Sequence, residues 1–167
     1  INVVGTGLDT LTGGRILRLK KYINSENFFL TYGDGLANVN INHLLKKHYD
    51  NKYSPLITLS AVRPPARYGS LKFTNNNKIK NFKEKDRMNE GWINGGFMIC
   101  KRDILNYITN DKTILEKDIL EKVSSMGLLY AYKHYNYWQS MDTMRDHEIL
   151  EKQSKNNELP WLSQKFV

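Results

Sequence analysis

The chain has 167 residues, 40% of them hydrophobic, with a single cysteine and a formal net charge of +8. That length lets one core bury roughly two-thirds of the unfolded surface, so residues 1–167 read as a single domain. No apolar run approaches the ~20 residues that span a bilayer and no charged-then-apolar leader opens the sequence, so a soluble, cytoplasmic protein without a membrane partner is expected.

The chain opens Ile1-Asn2-Val3-Val4, without an initiator Met, and reads as the remainder of a longer protein. Thr12-Gly13-Gly14-Arg15, with Arg18 one turn later if a helix starts there, offers backbone amides and a guanidinium to an anion. Purely structural glycines are the competing reading. Phe28-Phe29-Leu30 then reads as a buried strand that stops at Thr31-Tyr32-Gly33-Asp34-Gly35. A carboxylate between two glycines at a strand's carboxyl end is well placed to hold a metal-bound phosphate, although Asp beside Gly is also a common turn pair.

Asn40 precedes a helix with Ile41, Leu44, Leu45 and Tyr49 on its apolar face. A buried strand over residues 56–62 follows, ended by Pro64-Pro65. Residues 68–73 and 78–82 flank Asn75-Asn76-Asn77 and predict a two-stranded ribbon. Between Arg63 and Arg87 stand eight Lys or Arg against Glu84 and Asp86, a basic platform open to three readings: nucleic acid, a small phosphorylated substrate, or an idle solvated face. No nucleic-acid recognition motif accompanies it. In Phe82-Lys83-Glu84-Lys85, Lys85 can meet a phosphate and Glu84 can accept from sugar hydroxyls, against the plainer reading of a charged strand end.

Trp92-Ile93-Asn94-Gly95-Gly96 leads into a strand over residues 97–100. Its glycines let a ligand approach the backbone and Asn94 can serve a hydroxyl pair, with a tight turn as the rival reading. Cys100 lies in an apolar stretch and reads as a small buried side chain. Residues 113–126 carry Leu115, Ile119, Leu120, Val123 and Met126 at helical spacing, with Gly127 as the stop and a strand over residues 128–133 beyond it. Asp142 stands in front of a last helix that Thr143 and Asp146 open and that runs to about Lys155, before an extended tail with Pro160-Trp161. Asp34 and Asp142 together could grip one Mg²⁺, which takes one or two carboxylates plus substrate phosphate oxygens. The four histidines show no metal-ligand or triad pattern. Alternating strands and helices give an α/β class.

The strings T-G-L-D-T-L-T-G-G-R at residues 6–15, T-Y-G-D-G at 31–35, R-P-P-A-R-Y-G at 63–69, F-K-E-K at 82–85, W-I-N-G-G-F at 92–97 and Y-W-Q-S-M-D-T-M-R-D at 137–146, taken in order, resemble the sugar-nucleotide pyrophosphorylases, nearest to the glucose-1-phosphate cytidylyltransferases. The resemblance implies a Rossmann-like nucleotidyltransferase fold with a mixed, mainly parallel sheet, here without its N-terminal strands. It implies conversion of CTP and α-D-glucose 1-phosphate to CDP-glucose and pyrophosphate, for deoxysugar and surface-polysaccharide synthesis, and assembly as a homo-oligomer. By position it implies that Asp34 and Asp142 are Mg²⁺ ligands and that Lys85 meets the sugar phosphate. Glu84 and Asn94 would meet sugar hydroxyls, and Arg15 or Arg18, with Gly14, Gly69, Gly95 and Trp138, would complete the substrate contacts. The family's glycine-rich triphosphate loop is absent from this chain, which implies weak or no turnover alone. Asp86 and Ser140 stand where the family has proline, and Asn38 where relatives are often acidic, so two looser loops are expected. Another sugar-phosphate nucleotidyltransferase, or a non-catalytic sugar-nucleotide-binding module, are the alternatives.

Overall fold

The computed structural model describes residues 1–65, 70–84 and 91–162. In chain order it forms α1 (Thr12–Arg18), β1 (Asn27–Thr31), β2 (Gly35–Ala37), α2 (Ile41–Tyr49), β3 (Ile57–Val62), β4 (Ser70–Phe73), β5 (Ile79–Lys83), β6 (Ile93–Lys101), α3 (Glu121–Ser125), β7 (Leu129–Lys133), β8 (Trp138–Ser140) and α4 (Met144–Lys155). A four-stranded sheet has the order β1-β6-β3-β7, and β2-β8 and β4-β5 form two-stranded ladders. β1 runs antiparallel to β6, from Asn27 opposite Lys101 to Thr31 opposite Phe97. β3 and β7 run in the same direction, because Leu56 bonds to Leu128 at one end and His134 to Ala61 at the other. The sheet is therefore mixed, in an α/β fold. The chain divides into two compact units.

The first unit comprises Ile1–Thr31, Ile41–Leu59 and Phe97–Tyr132. Its core holds Leu44 of α2, Ile57 of β3, and Met98, Ile99 and Cys100 of β6, each essentially free of solvent contact. Burying such side chains contributes about 1.5–3 kcal/mol apiece. Leu115, Ile119 and Val123 join them, but the segment that carries them is not a uniform helix: Leu115–Leu120 is π-helical and passes into α3. One near and one distant side chain tie down its start. Asp118 Oδ2 accepts the Ile114 amide at 2.7 Å and Thr12 Oγ1 accepts the Leu115 amide at 2.8 Å, so side chains satisfy donors that a regular first turn leaves without partners. Met126, expected on the apolar face, caps α3 and is 42% exposed. Tyr49 likewise leaves the apolar face of α2; it is exposed, and its hydroxyl accepts from Asn27 Nδ2 at 3.2 Å.

The second unit comprises Tyr32–Asn40, Ser60–Gly96 and Lys133–Val167. β2 and β8 pair antiparallel, with Gly35 opposite Ser140 and Ala37 opposite Trp138. The β4-β5 ribbon forms as expected, with Leu71 opposite Phe82, a bulge at Lys72/Phe73 and Asn77 at φ +63° closing the turn. Tyr68, at the ribbon's expected start, lies outside the described residues. The strand expected over residues 97–100 instead runs from Ile93, so Asn94, Gly95 and Gly96 sit within β6 and not in a turn. The tail also departs from expectation. Pro160–Leu162 forms a 3-10 turn, with Trp161 tilted against Tyr137 at 6.0 Å between ring centroids. Among the described residues no helix is long and apolar enough to cross a membrane.

Candidate active site

The β2-β8 ladder places the two candidate carboxylates just beyond the same one of its ends. Beyond the Gly35–Ser140 pair, the Met141 amide donates to the Asp34 carbonyl at 2.9 Å, so the antiparallel register continues past the ladder. Asp142 is the next residue, and both acidic positions therefore stand at the same end of one two-stranded ladder. Met141 is the residue opposite Asp34, and Asp142 lies one position further along the chain. Both side chains are exposed.

Asp142 is held from both directions. Ser140 Oγ donates to Asp142 Oδ2 at 2.6 Å. On the other side Thr143 is the N-cap of α4: its hydroxyl accepts from the Asp146 amide, and the Asp146 carboxylate accepts from the Thr143 amide at 3.1 Å. Asp146 is buried, and its Oδ1 also accepts from Gln139 Nε2 at 3.1 Å, which ties the start of α4 back to β8. The three-residue link that contains Asp142 is thus fastened at both ends, contrary to the looser loop expected from Ser140. The Thr143-Asp146 spacing signalled the cap, but nothing in the sequence signalled the grip of Asp146 on Gln139.

Asn94 lies within β6 and both ends of its amide are engaged. Asn94 Oδ1 accepts the Gly96 amide at 3.0 Å, and Asn94 Nδ2 donates to Tyr32 Oη at 3.1 Å. A primary amide has two N–H donors and two acceptor lone pairs, so one of each remains for a ligand hydroxyl pair. Packing by itself requires both glycines that follow Asn94. A Cβ on Gly95 would stand 2.6 Å from Val62 Cγ1 and 2.8 Å from Ser60 Oγ, and Gly96, at φ +83°, would press one against Tyr32. Trp138 is buried and donates its indole N–H to the Gly95 carbonyl at 2.8 Å, so it acts on the strand from within. Arg63 lies over the Trp92 ring at 4.9 Å and Lys133 at 5.3 Å, a cationic pair about the aromatic that precedes Asn94. Glu84 follows β5 as an exposed turn residue, while Gly69 and Lys85 lie outside the described residues.

Gly14, Arg15 and Arg18 belong to the first unit, and the anion cradle expected there is already filled by protein. The Gly13 and Gly14 amides both donate to the Thr113 carbonyl, at 3.0 and 3.2 Å. A Cβ on Gly14 would stand 2.5 Å from the Asp111 carbonyl oxygen, so the glycine is required by backbone packing. Arg18 makes a bidentate pair with Asp111, Nε to Oδ1 at 2.9 Å and Nη2 to Oδ2 at 2.5 Å. That pairing holds the Asp111 carboxyl below its ordinary range and raises the guanidinium. Arg15 donates to Thr6 Oγ1 at 2.6 Å.

Among the described residues no group of three or more His, Cys, Asp or Glu converges to hold a metal. Exposed carboxylates are the ligand type that Mg²⁺ takes, one or two at a time, beside water and substrate phosphate.

The nucleotidyl transferase family model matches residues 12–153, across both units. The chain is 35% identical over 162 residues to the glucose-1-phosphate cytidylyltransferase of Salmonella typhimurium, covering 96% of this chain and 62% of that protein. It is 37% identical over 147 residues to a probable glucose-1-phosphate cytidylyltransferase of Bacillus subtilis, covering 87% of this chain and 56% of the relative. The chain thus spans about three-fifths of the length of these relatives. Among solved structures, HddC from Yersinia pseudotuberculosis superposes with a TM-score of 0.62 at 26% identity, over 86% of this chain and 62% of HddC, and it has also been solved complexed with GMP-PN. A single match running from α1 into α4, with the two carboxylate-bearing strings inside it, decides the assignment: this chain belongs to the nucleotidyl transferase family.

Proposed function

We propose that the chain is part of a glucose-1-phosphate cytidylyltransferase, which transfers the cytidylyl group of CTP to α-D-glucose 1-phosphate and releases pyrophosphate. The observation that carries the reading is the Asp34–Asp142 placement: two acidic residues from distant parts of the chain stand just beyond the same end of the β2-β8 ladder. Similarity to two cytidylyltransferases supports the choice of base and sugar.

Asp34 and Asp142 would hold Mg²⁺, which when bound neutralises phosphate charge. Asn94 orients the sugar through its remaining amide donor and lone pair. Lys85 would meet the sugar phosphate and Glu84 a sugar hydroxyl. A sugar phosphate oxygen attacks the α-phosphorus in line with departing pyrophosphate: one P–O bond forms as another breaks, without a covalent enzyme intermediate. The chain's contribution is alignment and charge neutralisation.

Glucose 1-phosphate-dependent release of pyrophosphate from CTP tests the reading. It is measured with this chain, and with the chain joined to the part of the Salmonella relative that it does not span. Release with CTP and with neither GTP nor UTP supports the proposal; preference for GTP would transfer the assignment to a guanylyltransferase. Release that persists undiminished in Asp34→Asn and Asp142→Asn overturns the metal assignment.

A further inference from the structure

In the first unit a cavity of about 600 Å³ lies beside α2 and β7. His43, Lys46 and Lys47 of α2 line it at i, i+3 and i+4, one helix face, and Asp50 follows just past the end of the helix. A helix face turned toward a strand is ordinarily apolar, and here the apolar side of α2 is spent elsewhere, with Leu44 and His48 buried in the core. The opposite wall is aromatic. Tyr130 and Tyr132 alternate along β7 and so project from one face of it, and Tyr53 stacks on Tyr130 with ring centroids 5.9 Å apart and planes 14° apart. Lys52 completes the rim, its Nζ lying 4.9 Å from the Tyr53 ring centroid. Burial raises the Tyr132 phenol, so it stays a neutral hydrogen-bond donor.

Lysines in the last turn of a helix complement its dipole, which accounts for the sign of Lys46 and Lys47. It does not account for Lys52 or the tyrosine wall, nor for the open volume between them. We propose that this cavity binds a nucleotide-like ligand, a phosphate-bearing molecule with a planar ring. The ring lies along the Tyr53, Tyr130 and Tyr132 wall, and the phosphate meets Lys46, Lys47 and Lys52, whose charge outweighs that of Asp50. Aromatic faces accept any base, and lysine is a point-charge phosphate binder, so phosphate and ring are both needed while base identity matters little. Neither Asp34 nor Asp142 lines this cavity, so the inference does not rest on the proposed transferase activity.

Calorimetric titration of the chain with CMP, AMP, cytidine and ribose 5-phosphate tests it. CMP and AMP are expected to bind with similar affinity, and cytidine and ribose 5-phosphate each about tenfold or more weaker. Lys47→Glu with Lys52→Glu, both exposed, is expected to weaken CMP by about tenfold or more, with a circular-dichroism melt checking that the variant folds. Asp34→Asn is expected to leave binding at this cavity unchanged, which separates it from any binding that depends on the β2-β8 ladder. Absence of CMP binding, CMP binding unaffected by the charge reversal, or equal binding of ribose 5-phosphate would each overturn the proposal. Tighter binding of poly(U) than of CMP, lost in the same variant, would overturn it in favour of a single-strand track.

Discussion

Ser140 Oγ donates to Asp142 Oδ2 at 2.6 Å, and the Ser140 backbone stands opposite Gly35, the residue after Asp34. One side chain therefore orients one candidate metal ligand while its backbone registers the other. Ser140→Ala is expected to raise the Mg²⁺ concentration for half-maximal pyrophosphate release severalfold and to leave the urea midpoint nearly unchanged. Asp34→Asn and Asp142→Asn are expected to lower the rate by about 10²-fold or more, the scale of losing a preorganised charge-stabilising group. Circular-dichroism melts check that these variants fold.

Gly95→Ala tests the packing of β6. The added methyl would stand 2.6 Å from Val62 Cγ1 and 2.8 Å from Ser60 Oγ, and the Gly95 carbonyl is the acceptor for Trp138. Overpacking of this kind costs about 1–3 kcal/mol, so the urea midpoint should fall. Gly95→Ala with Ser60→Gly should recover part of that loss.

Gly14→Ala should be at least as damaging, because the 2.5 Å clash is with the Asp111 backbone oxygen and no flexible side chain can yield. Asp111→Asn removes one charge of the Arg18 pair and leaves the Gly14 contact intact. Its effect should be much smaller and should shrink as salt rises, since the pair is 43% exposed on both sides. Thermal melts at low and high salt check both.

His48 makes stability fall in mild acid. Its Nε2 lies 3.1 Å from Asn27 Oδ1 and its Nδ1 2.9 Å from Thr58 Oγ1. Because Asn27 Nδ2 donates to Tyr49, Asn27 Oδ1 is an acceptor, so Nε2 carries the proton and Nδ1 accepts from Thr58. Burial, and then the charge of Lys101, lower the imidazole pKa. Below the unfolded value of ~6.5 the unfolded chain takes up a proton that the folded chain resists, so this contribution is complete above ~6.5 and is lost as pH falls through the folded value. Urea midpoints between ~pH 7.5 and ~pH 5 should decline, and His48→Gln should flatten the decline.

Cys100 is fully buried, and desolvation pushes its thiol up to about 12. Thiolate is the reactive form, so Ellman's reagent should not label the native chain and should label it fully in denaturant. Rapid native labelling would mean that β6 opens readily.

Several elements were legible because their signals are local. The apolar runs at β1, β3 and β7, the asparagine turn of the β4-β5 ribbon and the Thr143-Asp146 cap of α4 each lie within a dozen residues, and each formed close to where its pattern stands. The π-helical turn was not legible, because Leu115 and Ile114 draw their partners from Thr12 and Asp118. The glycines of the Thr12 and Trp92 strings carried an ambiguous signal: a glycine that admits a ligand and one that admits a neighbouring backbone look alike in one dimension. The neighbouring groups that require the glycines, Asp111 and Val62, are both distant in sequence.

By itself the sequence determined the α/β alternation, the buried character of Cys100 and the identity of Asp34 and Asp142 as the acidic residues to watch, since residue type and short-range periodicity carry those properties. Only the tertiary structure decided that the two carboxylates share a ladder end, that Arg18 is spent on Asp111 and that α2 turns its cations toward a tyrosine wall. Those relationships join residues as much as a hundred positions apart. They are set by strand register and packing, which depend on the whole chain closing upon itself and not on any local run of residues.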